Sequence, residues 1–520
     1  MKKRIIRSLL LSTVLLSALT ACGTGGSKEN SSSKKDGDYT ITTVRWSDWG
    51  DAFTKGYLEE AEKNSGIEID WDVHVAADWT DKKAVLLAGG DLPDAFLGSN
   101  VFNDSEIAQN QALFIPLEDL IEKHMPNLSK ILKENPKMKA MITSPDGHIY
   151  SLPKKSPMRP TISNQVFINK KWLDNLNLEM PDTYEEFIKV LEAFKNEDAN
   201  GNGDKNDEIP FGAGNVSETF MFILPFNNRL GADNTMEMSV KNDKPVYLRA
   251  EESYKEGIKW MSEAYKKGLI DPELYTQDES MASAKRMDKE VSRVGVSGGW
   301  TADATFGLHA DEYVAMTPLK GPDGNRYVLS DPDHYNYARN ELLITKNCEK
   351  PEELLKWADQ FYTDDASIQT FYGSFDIATE KTGTGYKVLA PKDGKSADEW
   401  AWINSLRDFG PKYVTDDFNS KVDIDDTQGD GLKLKLDEEI KQYALPAFPN
   451  VTYSQEELTR LSAIYVDIDS YAKQMTSKWV VEGGIDKEWD GCIKQLKAMG
   501  LDEFMEIQTK AYERYQSITE

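Results

Sequence analysis

Strand-like and helix-like segments alternate from Tyr39 onward, and this alternation is the strongest constraint on the fold. Residues 40–45 form a β-branched run, which a tryptophan-containing loop and a helical pattern follow. Residues 67–73 alternate apolar and polar side chains, and a second helical pattern leads to an apolar segment at 95–96. Because repeated strand–loop–helix units form parallel sheets, we predict an α/β protein whose ligand lies at the carboxyl ends of the strands.

The N-terminus has the organisation of a secretory signal. Four basic residues among the first seven precede an apolar run that is shorter than the roughly 20 residues of a spanning helix. The run ends in Leu19-Thr20-Ala21-Cys22, which resembles the lipobox of bacterial lipoproteins. This resemblance implies that residues 1–21 are a cleaved signal peptide and that Cys22 carries a lipid anchor. The alternative is an ordinary signal with an incidental cysteine.

Composition restricts the partners of the mature chain. Residues 22–37 contain no large apolar side chain and are predicted to be a flexible tether. The formal net charge of the whole chain is −27, and removal of residues 1–21 takes away four more positive charges. Such an acidic surface repels nucleic acid and anionic lipid, so we predict no nucleic-acid partner. An acidic ligand would need a local basic pocket, and only Arg159 with Lys154 and Lys155 clusters suitably.

No pattern in the sequence indicates a redox centre or an active site. Besides Cys22, only Cys348 and Cys492 remain, and we interpret them as separate buried thiols, with one bridge between them as the alternative. The five histidines show no metal-ligand spacing, and no nucleophile elbow or phosphate-binding loop stands in a fitting context. We therefore predict a protein without catalytic activity.

Short motifs along nearly the whole mature chain resemble those of the extracellular solute-binding proteins of ABC importers, in their long, lipid-anchored branch. The matching segments are 90–94 (GDLPD), 146–153 (DGHIYSLP), 168–173 (INKKWL), 181–187 (PDTYEEF), 198–203 (DANGNG), 207–210 (DEIP), 350–357 (KPEELLKW) and 487–489 (KEW). The resemblance implies two α/β lobes, crossing strands as a hinge, and a cleft that closes around a carbohydrate. It also implies delivery of the closed form to membrane permease subunits by a monomer anchored at the outer face of the cell membrane.

A proline-dense segment at 154–160 marks the first crossing between the lobes, and an apolar strand near 336–345 marks a return. On this interpretation lobe 1 comprises residues 38–155 and 335–395. The helix-rich lobe 2 comprises residues 156–334 and 396–520. A capping box formed by Thr183 and Glu186 is predicted to open a helix in lobe 2.

A sugar site combines aromatic platforms for C–H faces with planar polar groups for hydroxyls. Trp46 and Trp49 follow the first strand, although packing on the lobe surface is the alternative for both, and Trp300 is the preferred platform from lobe 2. Trp400 and Trp402 would lie about 200° apart on a helix, so only one of them can face the cleft. The predicted ligand-binding residues are Trp46, Asp48, Trp49, Asn100, Tyr150, Arg159, Trp300 and Trp402. For each of the four polar residues among them, an exposed ion pair or a capping role is the alternative.

The loop after the helix at 187–194 predicts a structural calcium site. Ca²⁺ prefers six to eight oxygen ligands, and oxygen-bearing side chains at alternate positions before Gly203 can supply three. The predicted ligands are Asp198, Asn200, Asn202, Asp204 through its backbone carbonyl, Asp207 and Glu208. The alternative is a solvated Asn-Gly turn without metal.

Two other functions use a similar aromatic cleft. A secreted lipoprotein glycoside hydrolase or polysaccharide lyase would turn its glycan over, whereas a binding protein would not. An adhesion module would bind glycans without lobe closure.

Overall fold

The computed structural model describes residues 38–162, 164–212, 236–330 and 337–519. Cys22 and the predicted signal and tether lie outside these residues. The strands are β1 (Tyr39–Arg45), β2 (Ile69–Val75), β3 (Ala95–Leu97), β4 (Ser151–Lys155), β5 (Gln165–Asn169), β6 (Ile209–Phe211), β7 (Met238–Lys241), β8 (Lys244–Tyr247), β9 (Val294–Gly299), β10 (Tyr313–Ala315), β11 (Val328–Ser330), β12 (Tyr337–Ile344), β13 (Thr379–Lys381), β14 (Tyr386–Val388), β15 (Lys412–Tyr413), β16 (Val422–Asp423) and β17 (Ala444–Pro446).

The α-helices are α1 (Gly56–Ser65), α2 (Ala76–Gly89), α3 (Asp104–Gln109), α4 (Glu118–His124), α5 (Pro126–Glu134), α6 (Pro136–Ile142), α7 (Lys170–Asn175), α8 (Tyr184–Asn196), α9 (Glu252–Lys266), α10 (Glu279–Arg286), α11 (Ala302–Phe306), α12 (Pro351–Asp359), α13 (Asp364–Tyr372), α14 (Ala397–Asn404), α15 (Gly429–Ile440), α16 (Gln455–Glu482), α17 (Ile485–Ala498) and α18 (Leu501–Thr519). Short 3₁₀ helices cover Gln111–Leu113, Leu248–Ala250, Gly307–Glu312, Phe418–Lys421 and Lys441–Tyr443.

A six-stranded sheet with the order β15-β4-β12-β3-β1-β2 organises the first half of the fold. β1 runs parallel to β2 and β3, whereas β12 runs antiparallel to both β3 and β4. The sheet is therefore mixed, because the chain re-enters it through β12 from the opposite direction. The carboxyl ends of β1, β3 and β4 still lie along one edge, as the strand–loop–helix pattern predicted.

The two faces of this sheet pack against different helices. Ile41 and Leu342 lie in one buried cluster with residues of α4, α5 and α12, and Val44 and Leu343 lie in a second cluster on the other face. Full burial of one such side chain contributes about 1.5–3 kcal/mol. A one-residue slip in either strand would move each of these side chains into the cluster on the opposite face, where it does not fit the packing.

Two strand boundaries differ from the sequence-based prediction. β2 begins at Ile69 and not at Ile67, because Gly66 adopts a left-handed conformation and the Ile67 amide donates to the Glu62 carbonyl to end α1. β4 continues through Lys154 and Lys155, which pair with Ala338 and Tyr337 of β12. The segment that leaves the first sheet therefore starts at residue 156.

A four-stranded sheet with the order β10-β5-β9-β6 organises the second half. β5 runs antiparallel to β9 and β10, and β6 runs parallel to β9. Helix α8 packs beside this sheet through buried side chains that include Phe187 and Leu191. The predicted capping box at its start is confirmed, since Thr183 Oγ1 accepts from the Glu186 amide and the Glu186 carboxylate accepts from the Thr183 amide.

The C-terminal helices form a further layer that the sequence did not predict in full. Helix α16 spans 28 residues and packs against α9 in a buried cluster that contains Trp479 and Trp489. Trp172 and Trp357 are fully buried, as predicted, and Cys348 and Cys492 are separate buried thiols. No helix in the described ranges is long and apolar enough to cross a bilayer.

In the described strand order the chain passes between the two sheets twice, from β4 to β5 and from β10 to β12. The first runs from the end of β4 to the start of β5, and Ile162 within it forms a β-bridge with Ser330 of β11. β11 in turn pairs in parallel with β17. Lys412–Tyr413, which lies beyond the predicted lobe 1 segment 335–395, pairs with β4 in the first sheet. The exact lobe boundaries stay a prediction.

Candidate ligand-binding cleft

Two predicted site residues form a stacked aromatic wall at the end of β1. The indoles of Trp49 and Trp402 are 4.5 Å apart and nearly parallel, and the Arg45 guanidinium lies 5.6 and 5.5 Å from their ring centroids. Arg45 donates to the carbonyls of Gly50 and Trp402. Burial lowers the pKa of Arg45 to about 10. A desolvated cation–π contact is worth about 2 kcal/mol, so the two contacts with Arg45 stabilise this arrangement of the rings.

Trp46 lies beside the wall and presents the exposed aromatic surface. Its side chain is 54% exposed, and its ring centroid lies 5.5 Å from that of Phe409. Gly98, which follows β3, has a φ of +109°, and a Cβ atom there would meet both Asn100 and Phe409. The absence of a side chain at Gly98 therefore lets the loop that carries Phe409 approach the ends of β1 and β3.

The predicted polar residues of lobe 1 occupy different places. Asp48 accepts from the Gly50 amide and shapes the loop after β1. Asn100 donates to the Val44 carbonyl at 3.0 Å, and its buried Oδ1 has no hydrogen-bond partner in the described part of the chain. Tyr150 precedes β4 and donates to Asp146, in a small cavity that Arg339 also lines, so it does not join the tryptophans.

Arg159, in the segment that crosses between the sheets, contacts Trp300. Arg159 lies in the segment after β4, Trp300 directly follows β9, and the guanidinium carbon is 5.0 Å from the indole centroid. Lys433 Nζ lies 5.2 Å from the same ring. Gly299 lets Trp300 take this place, because a Cβ atom at Gly299 would overlap the Thr305 side chain. The structure thus brings together two predicted residues, one in the crossing segment and one at the end of a strand of the second sheet.

A buried charge network adjoins this contact. Arg407 forms ion pairs with Asp430 at 2.8 Å and with Asp398 at 3.0 Å, and Tyr372 donates to Asp430 at 2.9 Å. Burial favours the neutral acid, but Arg407 and Arg159 together keep the pKa of Asp430 below its usual value. The sequence prediction missed this network. The signal that could have found it is Asp430 itself, which stands between two glycines at the start of α15.

A cavity of about 300 Å³ opens beside the network, within the size range of small-molecule sites. Its lining includes Tyr372, Asp398, Trp400, Arg407, Gln428 and Asp430. The buried indole N–H of Trp400 has no hydrogen-bond partner among the described residues. Trp402 packs in the wall against Trp49, whereas Trp400 lines the cavity. The two tryptophans of α14 therefore point in different directions, as their helical spacing predicted. A lining of aromatic rings with amide, carboxylate and guanidinium groups is the composition expected for a site that binds one sugar unit.

Comparison with known proteins places the chain in a family. The family model of bacterial extracellular solute-binding proteins matches residues 46–368. This chain belongs to that family. The solute-binding protein FusA of Streptococcus pneumoniae, a fructooligosaccharide ABC transporter substrate-binding protein, is 33% identical over 99% of both chains. The membership confirms the solute-binding prediction and the prediction of no catalytic activity.

Solved structures of solute-binding proteins share the two-lobed α/β architecture. FusA in complex with kestose has a TM-score of 0.80 at 33% identity and covers 92% of this chain and 99% of its own. A structure of a FusA EF-hand mutant with fructo-nystose also has a TM-score of 0.80, at 32% identity over 92% and 99% of the two chains. An HMO-binding solute-binding protein from Bifidobacterium longum infantis has a TM-score of 0.78 at 27% identity over 92% and 98%. The predicted fold class is confirmed.

Below the aromatic surface, a buried lysine fixes the loop of this solute-binding protein that carries Phe409. Lys412 Nζ donates to the carbonyls of Phe409 and Gly410 at 2.6 and 2.9 Å, and the Gly410 amide donates to Glu341 at 2.7 Å. Burial, assisted by nearby Lys154, lowers the pKa of Lys412 from 10.5 to about 7.

The depressed pKa of Lys412 predicts a stability that rises with pH. The unfolded chain keeps the Lys412 proton up to about pH 10, whereas the folded chain releases it near pH 7, so the unfolded state binds more protons in between. The free energy of unfolding of the wild type relative to Lys412→Met should therefore increase by up to about 1.4 kcal/mol per pH unit between pH 7 and 10. Urea unfolding at several pH values measures this slope. The exposed-site control Lys494→Met should show no such slope, and a flat difference for Lys412→Met would contradict the prediction.

The loop at 198–208 forms a compact turn lined by oxygens. The side chains of Asp198, Asn200 and Asn202 accept from the amides of Gly203, Asn202 and Asp204 at 2.7–3.0 Å. The Asp207 carboxylate accepts from the Asn200 and Asn202 side-chain amides, and Glu208 accepts from the Ala199 amide.

Two buried oxygens of this loop, Asp198 Oδ1 and Glu208 Oε2, have no hydrogen-bond partner in the described part of the chain. Unpaired buried carboxylate oxygens are costly, and a bound cation would satisfy them. No cluster of three or more His, Cys, Asp or Glu side chains in the described ranges has the arrangement of a metal site. A cation here would therefore depend on amide and backbone oxygens as well, which fits the predicted ligand set.

Proposed function

We propose that this chain captures an oligosaccharide between its two sheets and delivers it to the permease subunits of an ABC importer. The contact between Arg159 and Trp300 carries the proposal, because it brings a residue after β4 of the first sheet against one after β9 of the second. The relative FusA is named for fructooligosaccharides and has been solved with kestose. Fructooligosaccharides are accordingly the first ligands to test.

The arrangement gives a physical route from binding to transport. Trp46, with its half-exposed ring, and the cavity beside Trp400 offer aromatic and polar surfaces to a sugar. A ligand that contacts both lobes binds the closed state more tightly and shifts the population toward it. A permease that recognises the closed form can then distinguish loaded from empty protein. We further propose that the chain acts as a monomer, with the lobes bounded as the sequence predicted except that Lys412–Tyr413 belongs to lobe 1, because it pairs with β4.

Calorimetry and small-angle scattering on the purified mature chain test this function. Titration with kestose and nystose should give stoichiometric heat and a smaller radius of gyration at saturation, with the sugars recovered intact. A ligand at about 100 times its dissociation constant should add roughly 2.7 kcal/mol of stability. Product accumulating beyond one equivalent would establish a glycoside hydrolase or lyase instead. Binding without compaction would favour an adhesion module.

We propose that Cys22 is lipidated and anchors the chain to the outer face of the cell membrane, with residues 22–37 as the tether. The support is the motif at residues 19–22 and the basic and apolar signal before it. A single acyl chain gives only marginal membrane binding, so lipoprotein anchoring depends on more than one. Cys22→Ala should move nearly all of the protein from the membrane fraction to the medium or soluble fraction, as immunoblotting after fractionation would show. Cys348→Ala is the matched control and should stay at the membrane.

We propose that the loop at 198–208 holds a structural Ca²⁺, with the predicted ligands Asp198, Asn200, Asn202, Asp204, Asp207 and Glu208. The orphaned oxygens of Asp198 and Glu208 support it, and the EF-hand studied in FusA points in the same direction. The ion would neutralise the loop carboxylates and fix the connection from α8 to β6.

Chelation should lower the melting temperature while sugar affinity at low temperature stays nearly unchanged. Each kcal/mol of lost stability shifts the melting temperature by about 2–4 °C for a domain of this size. EDTA treatment followed by Ca²⁺ or Mg²⁺ addition, read by thermal unfolding, measures the effect, and Asp198→Asn should abolish the Ca²⁺ response. An unshifted melting curve together with no calcium by elemental analysis would refute the site.

A further inference from the structure

The cations that adjoin Trp300 already have carboxylate partners. Arg159 lies 3.6 Å from Asp408 and 3.7 Å from Asp430, counted between Nη1 and Oδ1 atoms. Lys433 is fully buried and forms an ion pair with Asp437 at 3.1 Å. Two cations that lie against the same indole are therefore matched by three carboxylates.

The other basic side chains near the end of β4 are matched in the same way. Lys154 forms an ion pair with Glu341 at 2.8 Å, and Lys155 forms one with Asp416. The three basic residues that the sequence offered as a local site for an acidic ligand, Arg159, Lys154 and Lys155, are thus all neutralised by the protein itself.

Arg45 and Lys412 are cations of this region for which the described residues provide no ion pair. Lys412 is fully buried and donates to the carbonyls of Phe409 and Gly410, so a ligand cannot reach it. The Arg45 guanidinium also donates to backbone carbonyls and is covered by the rings of Trp49 and Trp402. Arg45 is 3% exposed, so a ligand carboxylate cannot reach it without displacing the aromatic wall.

Asp408 and Asp398 are the carboxylates of the network with partly exposed side chains, 33% and 39% respectively. Asp408 is the one of the two that pairs with Arg159, the cation against the Trp300 ring. An ionised carboxylate accepts hydrogen bonds from sugar hydroxyls and repels a second carboxylate. A uronate entering here would lose its hydration and find no accessible cation without a carboxylate partner. An uncharged sugar does not carry this cost.

We propose that this site selects uncharged oligosaccharides and rejects uronate-containing ones, with Asp408 as the residue that determines the rejection. The inference rests on the proposed function and adds its ligand class. Discrimination between neutral and acidic sugars is relevant within the family. A relative from Bacillus subtilis is named for polygalacturonan and rhamnogalacturonan binding, and it is 24% identical over 61% of this chain and 62% of its own length.

Paired titrations of the mature chain with kestose and with trigalacturonate test the proposal. Each is measured in 20 mM and in about 500 mM NaCl, because high salt screens the long-range repulsion of the acidic surface and leaves close contacts in the cleft. We expect kestose to bind with little salt dependence and trigalacturonate to give no heat at either salt concentration. In Asp408→Asn, the affinity for trigalacturonate should rise by about tenfold or more into the measurable range. Asp502→Asn, at an exposed position on α18, is the matched control and should behave as the wild type.

The outcomes separate this proposal from the proposed function. Trigalacturonate binding to the wild type in high salt, at an affinity similar to that of kestose, would overturn the selectivity and leave oligosaccharide capture intact. Exclusion that persists unchanged in a folded Asp408→Asn would overturn the role of Asp408. If Asp408→Asn does not fold, the wild-type comparison alone decides the selectivity. Absence of binding to any neutral oligosaccharide would refute the proposed function itself.

Discussion

Replacing Trp300 with alanine is expected to weaken oligosaccharide binding by about 30-fold or more, which corresponds to the 2 kcal/mol or more that buried tryptophans contribute at binding hot spots. Trp300 stands at the end of β9 and contacts Arg159 of the segment that crosses between the sheets, while Lys433 lies against the same ring. Alanine would remove the aromatic surface and both cation–π contacts at once.

Isothermal titration with kestose measures the loss. Trp300→Phe is the conservative control: a ring remains for the sugar face and for Arg159, so we expect at least half of the lost binding free energy to return. Circular dichroism and thermal unfolding establish that both variants are folded. If kestose binds Trp300→Ala within twofold of the wild type, Trp300 is not the platform.

The local elements of this fold could be predicted because their signals lie within a few residues of one another. The β-branched run at 40–45 and the capping box of Thr183 and Glu186 depend on side-chain periodicity and on hydrogen bonds three residues apart. Trp300 and Arg159 could be selected by the same reasoning, since each follows a predicted strand or crossing where an α/β fold places ligand groups.

The mixed sheet and the buried charge network could not be predicted, because both depend on pairings between distant segments. β12 enters between β3 and β4 about 240 residues after β3 in the chain, and no local pattern specifies that position. Arg407 and Asp430 belong to different elements, and a charged residue in a polar loop has the same sequence signature whether it is buried or solvated. The position of Tyr150 also depends on the fold. It lies before β4 and donates to Asp146, away from the tryptophans with which the sequence analysis grouped it.

Removal of the Asp430 carboxylate is expected to destabilise the protein by about 3–5 kcal/mol, the range found when one partner of a buried ion pair is deleted. Asp430 is 4% exposed and accepts from Tyr372 while it faces both Arg407 and Arg159. In Asp430→Ala, these two guanidinium groups would lose a shared counter-charge in a region that water does not reach freely. Urea unfolding followed by tryptophan fluorescence measures the difference from the wild type.

The matched control is Asp502→Ala, whose side chain is 76% exposed and forms only a 3.7 Å contact with Lys497, so its effect should stay below about 1 kcal/mol. The pH dependence provides a second test of the same cause. Because the pKa of Asp430 is lowered in the folded state, its ionised form stabilises the protein above the unfolded-state pKa of about 4, and this contribution is lost as the pH falls below that value. The difference between the wild type and Asp430→Asn should therefore be largest near neutral pH and shrink toward pH 3. A difference that is small at pH 7, or that grows on acidification, would show that Asp430 does not hold the two arginines in place.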